Sequence, residues 1–279
     1  LTVTEQTIDP GEDPEKPNPN YDGVTINNPS NEVYDGKEHK WSPAVADKEG
    51  NALVEGTDYE VAYSTEDFTN VTGTITVTIT GIGNYTGTVT REYEITPKAY
   101  TVTTESANKV YDGTALTAGG KIEGIVDGEV VVVHTTGSQT DVGSTPNTYE
   151  LEWKKASSKN YKLKEESIGT LTVTEQTINP GEDPEKPNPN YNGVTINNPS
   201  NAVYDGKEHK WSPAVADKEG NALVEGKDYT VEYSTSDFTN VGIIEVIIAG
   251  IGNYTGTVTR EYEITPKAYT VTTESANKV

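Results

Sequence analysis

The feature that most constrains this chain is that it repeats itself. The segment LTVTEQTIDPGEDPEKPNPNY beginning at Leu1 returns from Leu171 with one change, and near identity continues until the first copy ends at Val110 and the second at Val279. A chain built this way must use one structural unit more than once, so the number of cores follows from the repeat rather than from the length. The copies differ in length by one residue, Val71-Thr72-Gly73 standing against Val241-Gly242. A single extra residue at a strand entrance predicts a β-bulge in the first copy.

A weaker repeat lies inside the strong one. Tyr34-Asp35-Gly36, Tyr111-Asp112-Gly113 and Tyr204-Asp205-Gly206 each follow a valine; Asn70-Val71, Asp141-Val142 and Asn240-Val241 come next; Asn84-Tyr85, Asn160-Tyr161 and Asn253-Tyr254 close each set. Three marks in one order predict three related β domains, here called the first (21–97), middle (98–178) and last (191–266) repeats. Residues 1–8 then read as the tail strand of a preceding repeat and 267–279 as the first strand of a following, truncated one, which makes the chain a fragment of something longer. The stretches 9–20 and 179–190 are too rich in proline and charge for a core and read as semi-rigid linkers, because proline favours the extended polyproline II form. The junction at Thr96-Pro97-Lys98 is much shorter and predicts a more restricted orientation.

Within a repeat the pattern is that of strands. Thr74 to Thr80 alternates threonine with Ile75, Val77 and Ile79, which places one face in a core and one in water. The later copy keeps Ile244, Val246 and Ile248 inward but turns Ile243, Glu245, Ile247 and Ala249 outward. Further strands are predicted at 59–64, 87–95, 101–104, 129–134, 149–153 and 167–174, with turns at Asp35-Gly36, Lys48-Glu49-Gly50-Asn51, Glu55-Gly56 and Gly83-Asn84. The fold class expected is all-β: tandem small immunoglobulin-like β-sandwiches in an extended array, with β-grasp-like repeats as the alternative. Trp41, Trp211 and Trp153 sit in strand-like segments and, with most tyrosines, are expected to fill cores that have only two Phe and no Met.

Acidic residues outnumber basic ones 44 to 21, for a net charge of −23, which argues against nucleic acid and anionic lipid as partners. With no cysteine, disulfide, thiolate-metal and thiol redox chemistry are excluded. No apolar run reaches the roughly 20 residues of a membrane-spanning helix, so no membrane insertion is expected. The three histidines, His39, His134 and His209, belong to no hydrolase or metalloprotease motif, and no carboxylate pair stands apart from the general surface charge. No catalytic residue and no cofactor are therefore expected. Asp9, Glu12, Asp13 and Glu15 are weak candidates for calcium at a linker, since hard cations take several oxygen ligands, although Asp9 becomes Asn179 in the second copy. Lys40 and Lys210, each beside a tryptophan, are the candidates for a buried Lys-to-Asn crosslink, and Asn70, Asn84 and Asn253 open glycosylation sequons. Trp41, Trp211, Ile243 and Ile247 form the candidate binding surface.

The Tyr-Asp-Gly turns at 34, 111 and 204, together with Gly-Asn-Tyr-Thr-Gly-Thr-Val-Thr at Gly83 and Gly252, resemble the YDG and MBG-type repeats of large surface proteins of Gram-positive bacteria. The resemblance implies an extracellular, cell-surface or wall-attached adhesin whose repeats act as stalk or adhesive modules, and it carries over no catalytic residue. Two functions follow: a semi-rigid stalk whose partners are the neighbouring repeats, or repeats that each bind a host glycan or glycoprotein weakly and gain avidity by number.

Overall fold

The structure is a computed structural model that describes residues 4–10, 24–180 and 194–274. It is all-β: among the described residues the helical content is one three-residue 3-10 turn at Ser158–Asn160. The chain divides into two compact units, the first comprising Leu1–Thr104, Gly120–His134 and Tyr149–Ser167, the second Glu105–Gly119, Thr135–Thr148 and Ile168–Val279.

The first unit holds the first repeat. Its main sheet runs in the order Glu32–Val33, Thr88–Thr96, Thr74–Gly81, Tyr59–Tyr63; the edge pair is parallel and the others are antiparallel. Alternation decides which face is inward, and Ile75, Val77 and Ile79 are fully buried while the threonines between them are partly or fully in water. Opposite Ile75 and Ile79 stand Tyr93 and Val89, so the inner face is continuous across strands. A second layer, the antiparallel pair Thr25–Ile26 and Val45–Ala46, contributes Val24, Ile26 and Val45 to the same core. Two small layers closing on one core make a sandwich, and a hairpin of final strands beside an earlier strand is the C-F-G order of an immunoglobulin-type sheet. Each fully buried Ile or Val adds about 1.5–3 kcal/mol of transfer free energy. Ile8 is one of them: Gln6–Thr7 pairs in parallel with Tyr85–Thr86, so residues read as the tail of a preceding repeat complete this core.

The second unit repeats the plan. Ala202–Val203, Thr257–Thr265, Gly242–Gly250 and Tyr229–Tyr233 form the four-stranded sheet, Thr195–Ile196 pairs with Val215–Ala216, and Gln176–Thr177 pairs with Tyr254–Thr255 to bring Ile178 into the core. The predicted bulge is absent. Both ladders run without a register break, Gly242 enters the ladder opposite Ile264, and the extra residue of the first copy is absorbed in the loop before Thr74, where Gly73 takes φ +90°. A left-handed loop residue is an inexpensive place for an insertion because glycine bears no Cβ.

Strands of the middle repeat fall in both units. Lys98–Thr104 pairs with Gly120–Glu123 and, in parallel, with Tyr161–Ser167, and Val131–Thr135 pairs with Tyr149–Trp153. In the second unit Thr170–Thr174 pairs with Ala107–Val110 in parallel and with Gly143–Pro146 in antiparallel fashion. The single strand predicted over 167–174 is therefore two, broken at Ile168-Gly169. A Cβ on Gly169 would lie 2.3 Å from the Glu105 backbone, so only glycine passes there. The linker cores, 11–20 and 181–190, lie outside the described residues.

Candidate functional site

At each of the two contacts between successive repeats, the first two sequence marks of one repeat meet the third mark of the next. The Tyr-Asp-Gly turn explains why tyrosine can serve there. The aspartate accepts the amide two residues on, Lys37 N to Asp35 Oδ1 at 2.9 Å, Thr114 N to Asp112 Oδ1 at 2.9 Å and Lys207 N to Asp205 Oδ1 at 2.9 Å. Glycine takes the left-handed conformation at φ +79°, +77° and +80° at Gly36, Gly113 and Gly206. Those hydrogen bonds favour the ionised carboxyl and hold all three aspartates below the usual range, with Lys109 the largest influence on Asp112. The turn is thus fixed by its own Asp and Gly, which leaves the tyrosine to the neighbour.

In the first unit, Tyr34 of the first repeat meets Tyr161 of the middle repeat edge to face, with centroids 5.5 Å apart. Asn160, which is buried, makes two bonds across the same contact: its Oδ1 accepts the Val71 amide at 2.9 Å and its Nδ2 donates to Asn70 Oδ1 at 2.7 Å. Glu129 accepts the hydroxyls of both Tyr34 and Tyr161, and Tyr161 Oη accepts the Val126 amide at 2.9 Å. Burial, then the hydrogen bond to Glu129, pushes the pKa of both tyrosine hydroxyls up and so disfavours their ionisation. Tyr100 and Trp153 pack edge to face at 5.7 Å and extend the cluster.

In the second unit the contact is rebuilt from the corresponding residues. Tyr111 of the middle repeat meets Tyr254 of the last repeat with centroids 5.6 Å apart. Asn253 Oδ1 accepts the Val142 amide at 2.8 Å, and its Nδ2 donates to Asp141 Oδ1 at 2.9 Å. Burial raises the Tyr254 hydroxyl to about 12. Asn253 also opens a sequon, and here its amide is committed to the contact. An edge-to-face pair contributes about 0.5–1.5 kcal/mol beyond area burial and each amide bond about 1 kcal/mol, enough together to restrict motion between repeats.

The candidate surface residues do not come together with these marks. Trp41 and Trp211 are half-buried in irregular segments rather than strands, packed against the cores of the first and last repeats, and their carbonyls accept Tyr63 Oη at 2.8 Å and Tyr233 Oη at 2.7 Å. They are core-edge residues. On the outward face of Gly242–Gly250, Ile243 is 62% exposed and Ile247 partly buried, as the alternation predicts. Lys40 and Lys210 are exposed, their amines lying 4.7 Å and 4.6 Å from the Tyr63 and Tyr233 ring centroids. A cation held on an aromatic face in water is not the buried amine that a Lys-to-Asn bond requires. Asp9 is exposed, Glu12, Asp13 and Glu15 lie outside the described residues, and no group of three acidic or imidazole side chains suited to a metal ion occurs among the described residues. His39 and His209 face Asp35 and Asp205 at 2.8 Å and 2.9 Å, and His134 faces Glu152 at 2.8 Å, each a surface pair. A shallow groove of about 550 Å³ in the last repeat is lined by Ile196, Pro213, Val215, Leu223 and Tyr229 among others, with no acid or histidine. No helix among the described residues is long and apolar enough to cross a membrane.

The marks were legible in the sequence, but their meeting was not: repetition identified them, and only the fold shows that the Asn-Tyr of one repeat reaches the Tyr-Asp-Gly and Asn-Val or Asp-Val of the repeat before it. No family model matches the chain, and no curated protein does. Among solved structures the chain is similar to protocadherin gamma B2 extracellular cadherin domains 3–6, at 9% identity over 88% of this chain and 76% of that one, with a TM-score of 0.28. It is also similar to the complex of Dpr2 Ig1-Ig2 with DIP-Theta Ig1-Ig3, at 9% identity over 88% and 99%, with a TM-score of 0.22.

Proposed function

We propose that this chain is part of the non-catalytic, semi-rigid stalk of a bacterial surface adhesin of the YDG and MBG-repeat kind, extracellular and attached to the cell surface or wall. The observation that carries the reading is that, at both contacts between described repeats, the recurring residues are spent on the contact itself. Tyr34, Asn70 and Val71 engage Asn160 and Tyr161, and Tyr111, Asp141 and Val142 engage Asn253 and Tyr254, by the same bonds. Residues kept for a ligand would instead converge on free surface. A net charge of −23 suits a solvated surface segment that must not aggregate.

A second reading, weak binding of a host glycan or glycoprotein by each repeat, draws on one observation: the strand that shows Thr74 and Thr78 outward in the first repeat shows Ile243 and Ile247 in the last. Binding of the 279-residue chain to mucin and to a glycan array tests both. The stalk reading expects no saturable binding. Saturable binding that is lost with Ile243→Thr and Ile247→Thr would replace it with the second.

A further inference from the structure

The two copies of the long repeat keep the same core and part company on one sheet face. Glu60, Ala62, Thr74, Thr76, Thr78 and Thr80 are replaced by Thr230, Glu232, Ile243, Glu245, Ile247 and Ala249, and these are more than half of all substitutions between the copies. All six positions point outward from the four-stranded sheet, in matching register: Glu232 stands opposite Ile247 and Thr230 opposite Ala249. The inward residues between them are unchanged, Ile75, Val77 and Ile79 recurring as Ile244, Val246 and Ile248. Ile243 is 62% exposed, and Ile247 is half-buried on the same face. The corresponding face of the first repeat is open with the middle repeat in place, Thr74 being exposed and Thr76 and Thr78 partly so. The exposure therefore belongs to the face and not to a missing neighbour.

The exchange also strips the face of its internal partners. In the first repeat Thr74 Oγ1 donates to Glu94 at 2.8 Å and Thr76 Oγ1 to Glu92 at 3.4 Å. Glu263 and Glu261 hold those places in the last repeat, but opposite them stand Ile243 and an ionised Glu245, neither of which donates. Glu245 against Glu261 is a like-charge pair directly across the ladder, an arrangement that costs stability. The carboxylates of Glu232, Glu245, Glu261 and Glu263 have no hydrogen-bond or ion-pair partner among the described residues. Arg260 is engaged elsewhere, its guanidinium donating to Asn198 Oδ1 at 3.0 Å and to the Thr259 carbonyl at 3.3 Å. Exposed aliphatic surface and uncompensated negative charge thus occupy one face.

We infer that this face docks a basic, amphipathic polypeptide segment that lays aliphatic side chains on Ile243 and Ile247 and sets lysine or arginine against the surrounding carboxylates. The two isoleucines lie four residues apart on one strand, about 13 Å, so the segment carries two aliphatic residues at that spacing with cations around and between them. Charge decides among the occupants. A second copy set face to face would bring these carboxylates against their own kind, and nucleic acid or anionic lipid would meet the same repulsion. A sugar would find no aromatic side chain on the outward positions of these strands to stack on. The inference goes beyond the stalk reading and does not rest on it: the contacts between repeats use residues that recur, and this face is made of residues that do not.

The test is isothermal titration of the intact chain, at low ionic strength, with the acetylated and amidated peptide Lys-Leu-Lys-Gly-Lys-Leu-Lys, whose leucines share that four-residue spacing. Saturation at one peptide per chain is expected, weakening as salt is added. The same peptide with serine in place of both leucines is expected to bind roughly tenfold more weakly. Ile243→Thr with Ile247→Thr, and separately Glu232→Ala with Glu245→Thr, restore residues that the first repeat carries within the same sheet. Each pair is expected to weaken binding roughly tenfold with an unchanged circular dichroism spectrum. Glu92→Thr with Glu94→Thr removes the same charge from the first repeat and is expected to leave binding unchanged. Failure to saturate overturns the inference, as does equal binding of the serine peptide or binding undiminished by either pair in the last repeat. An equal loss from the pair in the first repeat overturns it too, because it would mark general attraction to an acidic chain. The peptide carries no sugar, so its result is separate from that of the glycan array that tests the stalk.

Discussion

The segment Lys-Ala-Tyr-Thr-Val-Thr-Thr occurs twice, at 98–104 and at 267–273, and takes two different structures. In the first occurrence it is a strand between two others, Gly120–Glu123 and Tyr161–Ser167, and Val102 is 1% exposed. In the second it forms no strand among the described residues, and Val271 is 72% exposed. Seven identical residues therefore do not determine their own conformation. A β-branched, alternating segment is ready to be a strand, but the ladder supplies the hydrogen bonds and the buried face supplies the energy, and both come from residues distant in sequence.

The largest test of that contrast is one substitution made in both places. Val102→Asp puts a charge into a fully buried site and is expected to destabilise the first unit by about 4 kcal/mol. Val271→Asp is expected to change stability by less than about 0.5 kcal/mol. Urea unfolding of both variants decides it, and equal losses would mean that the second segment is packed in solution. A smaller effect is expected just past the first copy, where buried Asn147 donates to the carbonyls of Glu105, Ala118 and Gly119 at 3.0, 3.2 and 3.2 Å. Asn147→Ala removes a donor that the Glu105 and Ala118 carbonyls use, while the Gly119 carbonyl keeps the Glu105 amide at 2.8 Å, and should cost about 2 kcal/mol in the same assay.

Two titrations extend the comparison from covered to uncovered residues. Tyr254 ionises at about 12 because it is buried, against 10.0 for an unburied tyrosine. A raised value of this kind contributes stability that is whole below pH 10 and is lost as the pH climbs toward 12. Thermal melts across that window should fall with pH, and Tyr111→Ala, which uncovers the ring, should move the loss to lower pH. At the acid end the effect is smallest. Asp35 and Asp205 are held below the ordinary 3.8 by backbone and His hydrogen bonds, so the stability of their turns is present above that value and declines as the pH drops beneath it. Asp205→Asn should flatten only the part of the acid transition that belongs to the last repeat, as read from the Trp211 fluorescence.

How much was legible follows from which interactions are local. The strand over Thr74 to Gly81 and the turns at Asp35-Gly36 and Gly83-Asn84 were readable because alternation and turn chemistry act over a few residues. The break at Gly169 was not, because its cause is the Glu105 backbone 64 residues earlier in the chain. The tryptophans misled for a similar reason. Trp41 looks like a strand residue, yet its backbone is occupied by Tyr63 and Tyr93 hydroxyls rather than by a ladder. The marks that matter most were found by repetition and could be located but not paired, since nothing in a single repeat says that its Asn-Tyr faces backward along the chain.

One consequence concerns how such repeats respond to being pulled. In the first, middle and last repeats an early strand lies parallel to the last one, Glu32–Val33 on Thr88–Thr96, Ala107–Val110 on Thr170–Thr174 and Ala202–Val203 on Thr257–Thr265. Tension applied at the two ends of a repeat drags such neighbours past each other lengthwise, so their hydrogen bonds share the load and must fail together instead of unzipping one by one. Each repeat is thereby wired as a shear joint, and resistance to extension is set by the rate at which that joint gives way rather than by the equilibrium stability of the fold.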